Sequence, residues 1–410
     1  MGALRGRRIA SGAAWYLLLG LLALAACDRR EDAGIVDPAG EDELEMAKGR
    51  GVGHLDPDEV AAGKEIFRHD TFGDEQFWTG VLRMNEVIQS AVDPMTALSV
   101  GLKVDSEALP PGVLENANLS DPATTVALIS LDAVVGIKGQ VDKQGKLLSV
   151  GITCALCHST VDNSVATGIG RRLDGWPNRD LNPGAIIALS PALPREAKAV
   201  LNSWGPGRYD AYWNQDGLNE PTVIPPAYGL RRVELETFTG EGPVSYWNAY
   251  VAVTQMGGQG SFSDPRLGIE ITHVPDLVTP KLPALREYQL SLEAPTPPRS
   301  SFDAAAAKRG RKVFFAEASC VKCHTPPTFT DVHRTLHDPA ETGMDPTLAE
   351  RATTGQYRTT PLAGVWQHPP YFHDGSAATL RDVVEHYDDV LNLGLSDRQK
   401  NDLVEYLKSL

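Results

Sequence analysis

Four of the five cysteines stand in two matching settings, Cys154-Ala155-Leu156-Cys157-His158 and Cys320-Val321-Lys322-Cys323-His324. Two thiols three positions apart on a turning backbone reach the two vinyl groups of one porphyrin, and the adjacent histidine then meets the iron from the proximal side. Zinc ribbons, thioredoxin-like redox pairs and short disulfides use the same residue types. A zinc ribbon places its Cys pairs about 15–20 residues apart, whereas more than 160 residues separate these. A redox pair has no need of a histidine after its second thiol, and both copies have one. Two complete copies imply two covalently bound haem c groups. Cys154, Cys157 and His158 would hold the first, and Cys320, Cys323 and His324 the second.

The fifth cysteine closes an address. Arg5, Arg7 and Arg8 precede an apolar run from Ala13 to Ala26, which ends at Leu24-Ala25-Ala26-Cys27. The run is too short for a stable bilayer span and fits an export signal. Leu-Ala-Ala-Cys resembles the bacterial lipoprotein processing box, so residues 1–26 read as the signal and Cys27 as the lipid attachment point. An ordinary signal peptide with a Cys at its cleavage site is the plainer alternative. Residues 27–57 are acidic and poor in large apolar groups, as a solvated tether would be. The expected location is the bacterial envelope or periplasm, at a membrane surface, which suits covalent haem attachment. A net charge of -15 over 410 residues argues against a nucleic-acid partner, because phosphate contacts need clustered Lys and Arg.

The 38 Gly and 29 Pro predict loops outweighing regular elements. Asp56–Asp70 reads as an opening helix. Asp303 can cap a second over Ala304–Ala316, just before the second haem motif. Thr379 with Asp382 predicts a helix from Leu380 to about Val390, and Ser396 with Gln399 starts a last one carrying Leu403, Val404, Leu407 and Leu410. Helix, haem motif, loops and helix is the plan of a small class I cytochrome. The reading is therefore a mostly α, loop-rich chain of two class I cytochrome c-like haem domains, residues 58–293 and 303–410. The proline-rich stretch 294–302 links them. The first domain carries an insertion at about 71–150, in which Gly136–Val141 and Lys146–Thr153 predict a hairpin leading into the first haem motif. Trp176 and Trp204 suggest a wall packed on porphyrin.

Tyr357-Arg358-Thr359-Thr360-Pro361-Leu362, Pro370-Tyr371-Phe372-His373-Asp374-Gly375-Ser376 and the last helix resemble the bacterial di-haem cytochrome c peroxidase/MauG family. The resemblance is close over residues 300–410 and looser over 150–300. It implies two haem domains meeting at a cleft. The C-terminal haem would take electrons from a small cytochrome or cupredoxin-type donor, and the N-terminal haem would reduce hydrogen peroxide. It also implies a calcium ion near Asn219, Thr359 and Pro361. Peroxidases of the family place a Met as sixth ligand of the C-terminal haem where this chain has Tyr387, and MauG-like members use Tyr there. Met344, His386 and His373 are the alternatives. His333 and His337 read as surface or supporting histidines.

Elsewhere the chain departs from the family. No histidine lies between His158 and His273, so the first haem is expected open, with Met256 and His273 as ligands if it is closed. The family's distal Glu falls at Gln255 or Gln259, and an amide cannot accept and return a proton as a carboxylate does. Glu241 or an arginine would have to substitute, though no sequence feature marks either for it. The inter-haem Trp is replaced by Phe238-Thr239-Gly240, with Trp247 nearby as a relay. Three functions follow: a peroxidase, an envelope electron carrier with both irons capped, and a MauG-like or oxygenase-like oxidant of a protein or organic substrate.

Overall fold

Asp56 accepts from the Asp58 amide and caps helix α1 (Pro57–His69), whose Pro57 needs no donor partner at its first position. The computed structural model describes residues 55–331 and 335–410, so Cys27, most of the 27–57 tether and His333 lie outside it. The described part is mostly helical and loop-rich, with only two-stranded sheets. None of its helices is long and apolar enough to cross a membrane.

Six helices frame the two motifs: α1, α2 (Val244–Tyr250), α3 (Leu282–Ser291), α4 (Ala304–Lys312), α5 (Leu380–Val390) and α6 (Asp397–Lys408). α4 starts at Asp303, whose carboxylate takes the Ala305 and Ala306 amides, and passes into a widened turn at Val313–Glu317. Thr379/Asp382 and Ser396/Gln399 each close a reciprocal capping box. These starts form where the sequence predicts them, because caps are local chemistry.

Two helix pairs use one contact scheme. In α1, a Cβ on Gly63 would stand 1.9 Å from the Ala284 carbonyl oxygen of α3, and in α4 a Cβ on Gly310 would stand 1.8 Å from the Asp402 carbonyl oxygen of α6. Only glycine lets the backbones approach so closely. Four residues on, Phe67 meets Tyr288 edge-on at 5.4 Å and Phe314 meets Tyr406 edge-on at 5.2 Å. The shared string, Gly63-Lys64-Glu65-Ile66-Phe67 and Gly310-Arg311-Lys312-Val313-Phe314, is an internal repeat.

Three apolar cores surround this frame. One joins α1, α2 and α3 and takes in Leu348, Ala349 and Tyr357 from the C-terminal part. A second is built from residues 78–156 with Leu181 and Ile224. Its hairpin, β1 (Ile137–Val141) on β2 (Leu147–Ile152), matches the sequence expectation and delivers the chain to Cys154. The third lies within 313–407. The 294–302 stretch forms no helix or strand.

Candidate functional site

Beyond β2 the chain makes one tight helical turn, Ala155–His158, closed by His158 N–H to the Cys154 carbonyl at 3.2 Å. Gly136 sits against it with φ +78°, where a Cβ would meet Leu156 backbone at 2.2 Å. The Asn178 amide N–H holds the Cys157 carbonyl at 2.9 Å. His158 points Nδ1 at the Pro225 carbonyl, 3.1 Å away. That partner can only accept, so Nδ1 carries the proton and Nε2 keeps its lone pair, as a metal-binding imidazole requires. Burial pushes His158 down to about 4, which keeps it neutral. Burial likewise raises the Cys154 and Cys157 thiols to about 12, and all four motif cysteines are free of disulfides.

Both sulfurs and the imidazole line a cavity of about 280 Å³ whose wall includes Trp78, Tyr209, Trp247, Gln255 and Met256. Trp247 Nε1 and Thr237 Oγ1 are buried in that wall without a partner. Free thiols, a neutral imidazole with a fixed tautomer, and orphaned polar atoms in an apolar cavity fit a covalently held haem.

The second motif repeats the device. Ser319, at φ +52°, leads into the short turn Cys320–Lys322. His324 directs Nδ1 to the Phe329 carbonyl at 2.9 Å, and burial lowers its pKa. Tyr387 faces this motif from α5. Burial, then the Cys323 and Cys320 sulfurs, push its phenol up to about 12. Its hydroxyl has no hydrogen bond among the described residues, and its ring meets Phe372 and His386. The alternatives are otherwise occupied. His386 Nε2 bonds the Thr342 carbonyl at 2.8 Å. His373 stacks on Tyr357 and meets its hydroxyl at 3.2 Å. Met344 packs on the first core. His337 has both ring nitrogens engaged, by Asp331 and Glu341, in keeping with a supporting place.

The remaining candidates separate. Gln255 lines the cavity: its Oε1 accepts from Tyr209 Oη at 3.0 Å, and its Nε2 donates to Asn214 and Thr254. Gln259 does not line it and donates to the Gly73 carbonyl at 3.4 Å. Glu241 also lies off the wall, accepting from Tyr212, Thr239 and Thr353. Trp247 is in the wall, in ring contact with Tyr212, Tyr246 and Tyr250. Met256 is buried in the wall, whereas His273 is exposed and bonds the Gly260 carbonyl. Three carboxylates line the wall: Asp210, paired with Arg351, Glu220, and Glu236, paired with Arg286. Glu236 and Tyr209 carry no motif that sequence reasoning could have used.

Of the calcium candidates, Asn219 Oδ1 accepts from the Trp204 indole at 2.8 Å, and the Thr359 carbonyl accepts from the Thr330 hydroxyl.

No family model matches the chain. Among curated proteins it is 25% identical over 292 residues to the methylamine utilization protein MauG of Methylorubrum extorquens, covering 64% of this chain and 73% of that protein. It is 31% identical over 124 residues to MauG of Methylophilus methylotrophus, covering 26% of this chain and 36% of that one. It is 26% identical over 151 residues to the cytochrome-c peroxidase IdrP1 of Denitromonas iodatirespirans, covering 26% of this chain and 40% of that one. These relatives support a di-haem peroxidase/MauG family, at low identity. With it they support an oxidoreductase enzyme carrying haem c. Among solved structures, a variant of the diheme peroxidase BthA of Burkholderia thailandensis aligns over 88% of this chain and 87% of its own, at TM-score 0.31 and 14% identity. A MauG-like protein associated with microbial copper homeostasis aligns over 36% of this chain and 55% of its own, at TM-score 0.28 and 21% identity.

Proposed function

We propose that the chain is a di-haem oxidoreductase that reduces hydrogen peroxide at the haem of the first motif, with electrons relayed by the haem of the second. The observation that carries this reading is the apolar cavity holding both first-motif sulfurs, the neutral His158 imidazole and a hydrogen-bonding amide, Gln255. Haem c, when bound, supplies the one-electron chemistry and a coordination position for the peroxide. His158 would offer Nε2 to the iron with its tautomer set by Pro225. Tyr209 holds Gln255 Oε1 while Asn214 and Thr254 hold its Nε2, so the amide is oriented rather than free. Burial raises the Tyr209 phenol, so it stays protonated and donates its hydrogen bond at neutral pH. An oriented amide can bind an oxygen substrate but cannot shuttle its proton, which points to slow turnover. Trp247 is the relay in this reading and Tyr387 the sixth ligand of the second haem. A phenolate there would favour ferric iron.

The twin helix crossings at Gly63 and Gly310 support two class I cytochrome c-like domains, 58–293 and 303–410. Export, a lipid anchor at Cys27 and a small cytochrome or cupredoxin-type donor complete the proposal. A second reading rests on Met256, whose burial in the cavity wall makes it a ligand that would close the first iron and leave an electron carrier.

Low-temperature EPR of the diferric protein separates them. A high-spin signal that disappears on adding peroxide is expected. Two low-spin signals indifferent to peroxide would replace the enzyme by the carrier.

A further inference from the structure

Arg179 is a half-buried cation. Its Nη2 donates to the His368 carbonyl at 3.1 Å, while Nε and Nη1 are buried without a partner. No carboxylate pairs with it among the described residues. His368 itself is 8% exposed, and its Nδ1 is also buried and unpartnered. The neighbouring phenols are committed, since Tyr228 donates to the Gly364 carbonyl and Tyr371 to the Val365 carbonyl, each at 3.0 Å. The neighbouring charge is a second cation, Arg208. Its guanidinium lies against Gly375, where a Cβ would come within 2.8 Å of Nη2. Burial, opposed by the two tyrosines, depresses the Arg179 guanidinium to about 10. Buried, unpartnered guanidinium nitrogens on Arg179 and an orphaned imidazole nitrogen, with a second cation at Arg208 and no paired carboxylate among the described residues, are costly unless an anion joins them.

The position says which anion. Asn178, the residue before Arg179, holds the Cys157 carbonyl of the first motif, and His368 lies on the stretch that ends in Phe372-His373-Asp374-Gly375. We propose that Arg179, His368 and Arg208 form a carboxylate-binding site that receives a pendant carboxylate of a haem held by one of the two motifs. The inference rests on the haem reading and adds the residues that take the macrocycle's charged edge. Unpartnered N–H groups on Nε and Nη1 each offer a charge-assisted hydrogen bond to a carboxylate oxygen. Neutralising that carboxylate raises the reduction potential of the iron beside it, because uncompensated negative charge favours ferric iron.

The test uses the haem-loaded chain and three readouts: haem content by pyridine haemochromogen, both midpoint potentials by spectroelectrochemistry, and the optical response to added acetate. The expected result is two haems per chain, one midpoint lowered in Arg179→Gln, the other unmoved, and no response of the wild type to acetate. Arg208→Gln, at a half-buried position, should lower the same midpoint by less, and it carries the test if Arg179→Gln does not fold. A saturable acetate response in the wild type that the variant loses would keep the site but overturn the tethered source. Unchanged midpoints in every folded variant would overturn the site. Fewer than two haems in the wild type would instead refute the haem reading.

Discussion

Alanine at Gly310 tests the helix crossing on which the second module rests. The new Cβ would lie 1.8 Å from the Asp402 carbonyl oxygen and 2.4 Å from its carbon. Both are backbone atoms of α6, so no side chain can swing aside and the helices must part. Parting them loosens Phe314 from Tyr406 and strains the Arg309–Asp402 ion pair. Overpacking of a tight contact costs about 1–3 kcal/mol, and a backbone obstacle puts Gly310→Ala at the upper end, about 3 kcal/mol. At 1.4 kcal/mol per tenfold, the unfolded fraction should rise about 100-fold. Gly63→Ala, 1.9 Å from the Ala284 carbonyl oxygen, should cost as much. Gly80 is the control: it is helical and has nothing within 4 Å of its Cβ position, so Gly80→Ala should gain up to about 1 kcal/mol from helix propensity. Guanidinium unfolding of the haem-loaded chain, followed by far-UV circular dichroism and the Soret band, measures all three. A wild-type midpoint for Gly310→Ala, or an equal loss at Gly80, would refute the argument.

Three further predictions concern single groups. Asp74 is fully buried, and burial, partly opposed by the Ile152 N–H, pushes its carboxyl up to about 9. The folded state therefore holds a proton that the unfolded chain releases near its ordinary value. Stability should fall by up to about 1.4 kcal/mol per pH unit as pH rises from about 4 toward 9. Asp74→Asn keeps an acceptor for Ile152 and should flatten that slope in denaturation series from pH 6 to 9, while an unchanged slope would assign it to another group. Tyr387→Phe should alter the optical and EPR spectrum of one haem only, and identical spectra would remove Tyr387 as a ligand. Replacing Cys154 and Cys157 together by Ala should halve the haem content measured by pyridine haemochromogen, a loss that two full haems in the variant would contradict.

Local signals were legible wherever the chemistry is local. Capping residues name their own helix starts, as at Asp303, Thr379 and Ser396, and a turn such as Asp142-Lys143-Gln144-Gly145 announces its hairpin. The Gly-x-x-x-Phe repeat was legible too, but its meaning appears only when each glycine meets a partner helix more than 90 residues later in the chain. Gln255 and Gln259 looked equivalent in sequence. One now lines the cavity and the other turns to Gly73, because four residues at the end of a helical segment are enough to leave the wall.

The sequence by itself determined the chemistry of attachment, since Cys-x-x-Cys-His is a local arrangement in which backbone spacing alone brings two thiols and an imidazole together. It also determined the helix starts. Only the tertiary structure decided which polar groups face the cavity, that Met256 reaches it and His273 does not, and that Asn219 meets Trp204 and Thr359 meets Thr330. Those outcomes depend on contacts between segments far apart in the chain. Arg179 is the sharpest case: nothing in its sequence neighbourhood marks it, and its buried, unmet Nε and Nη1 appear only once the chain brings His368 against it.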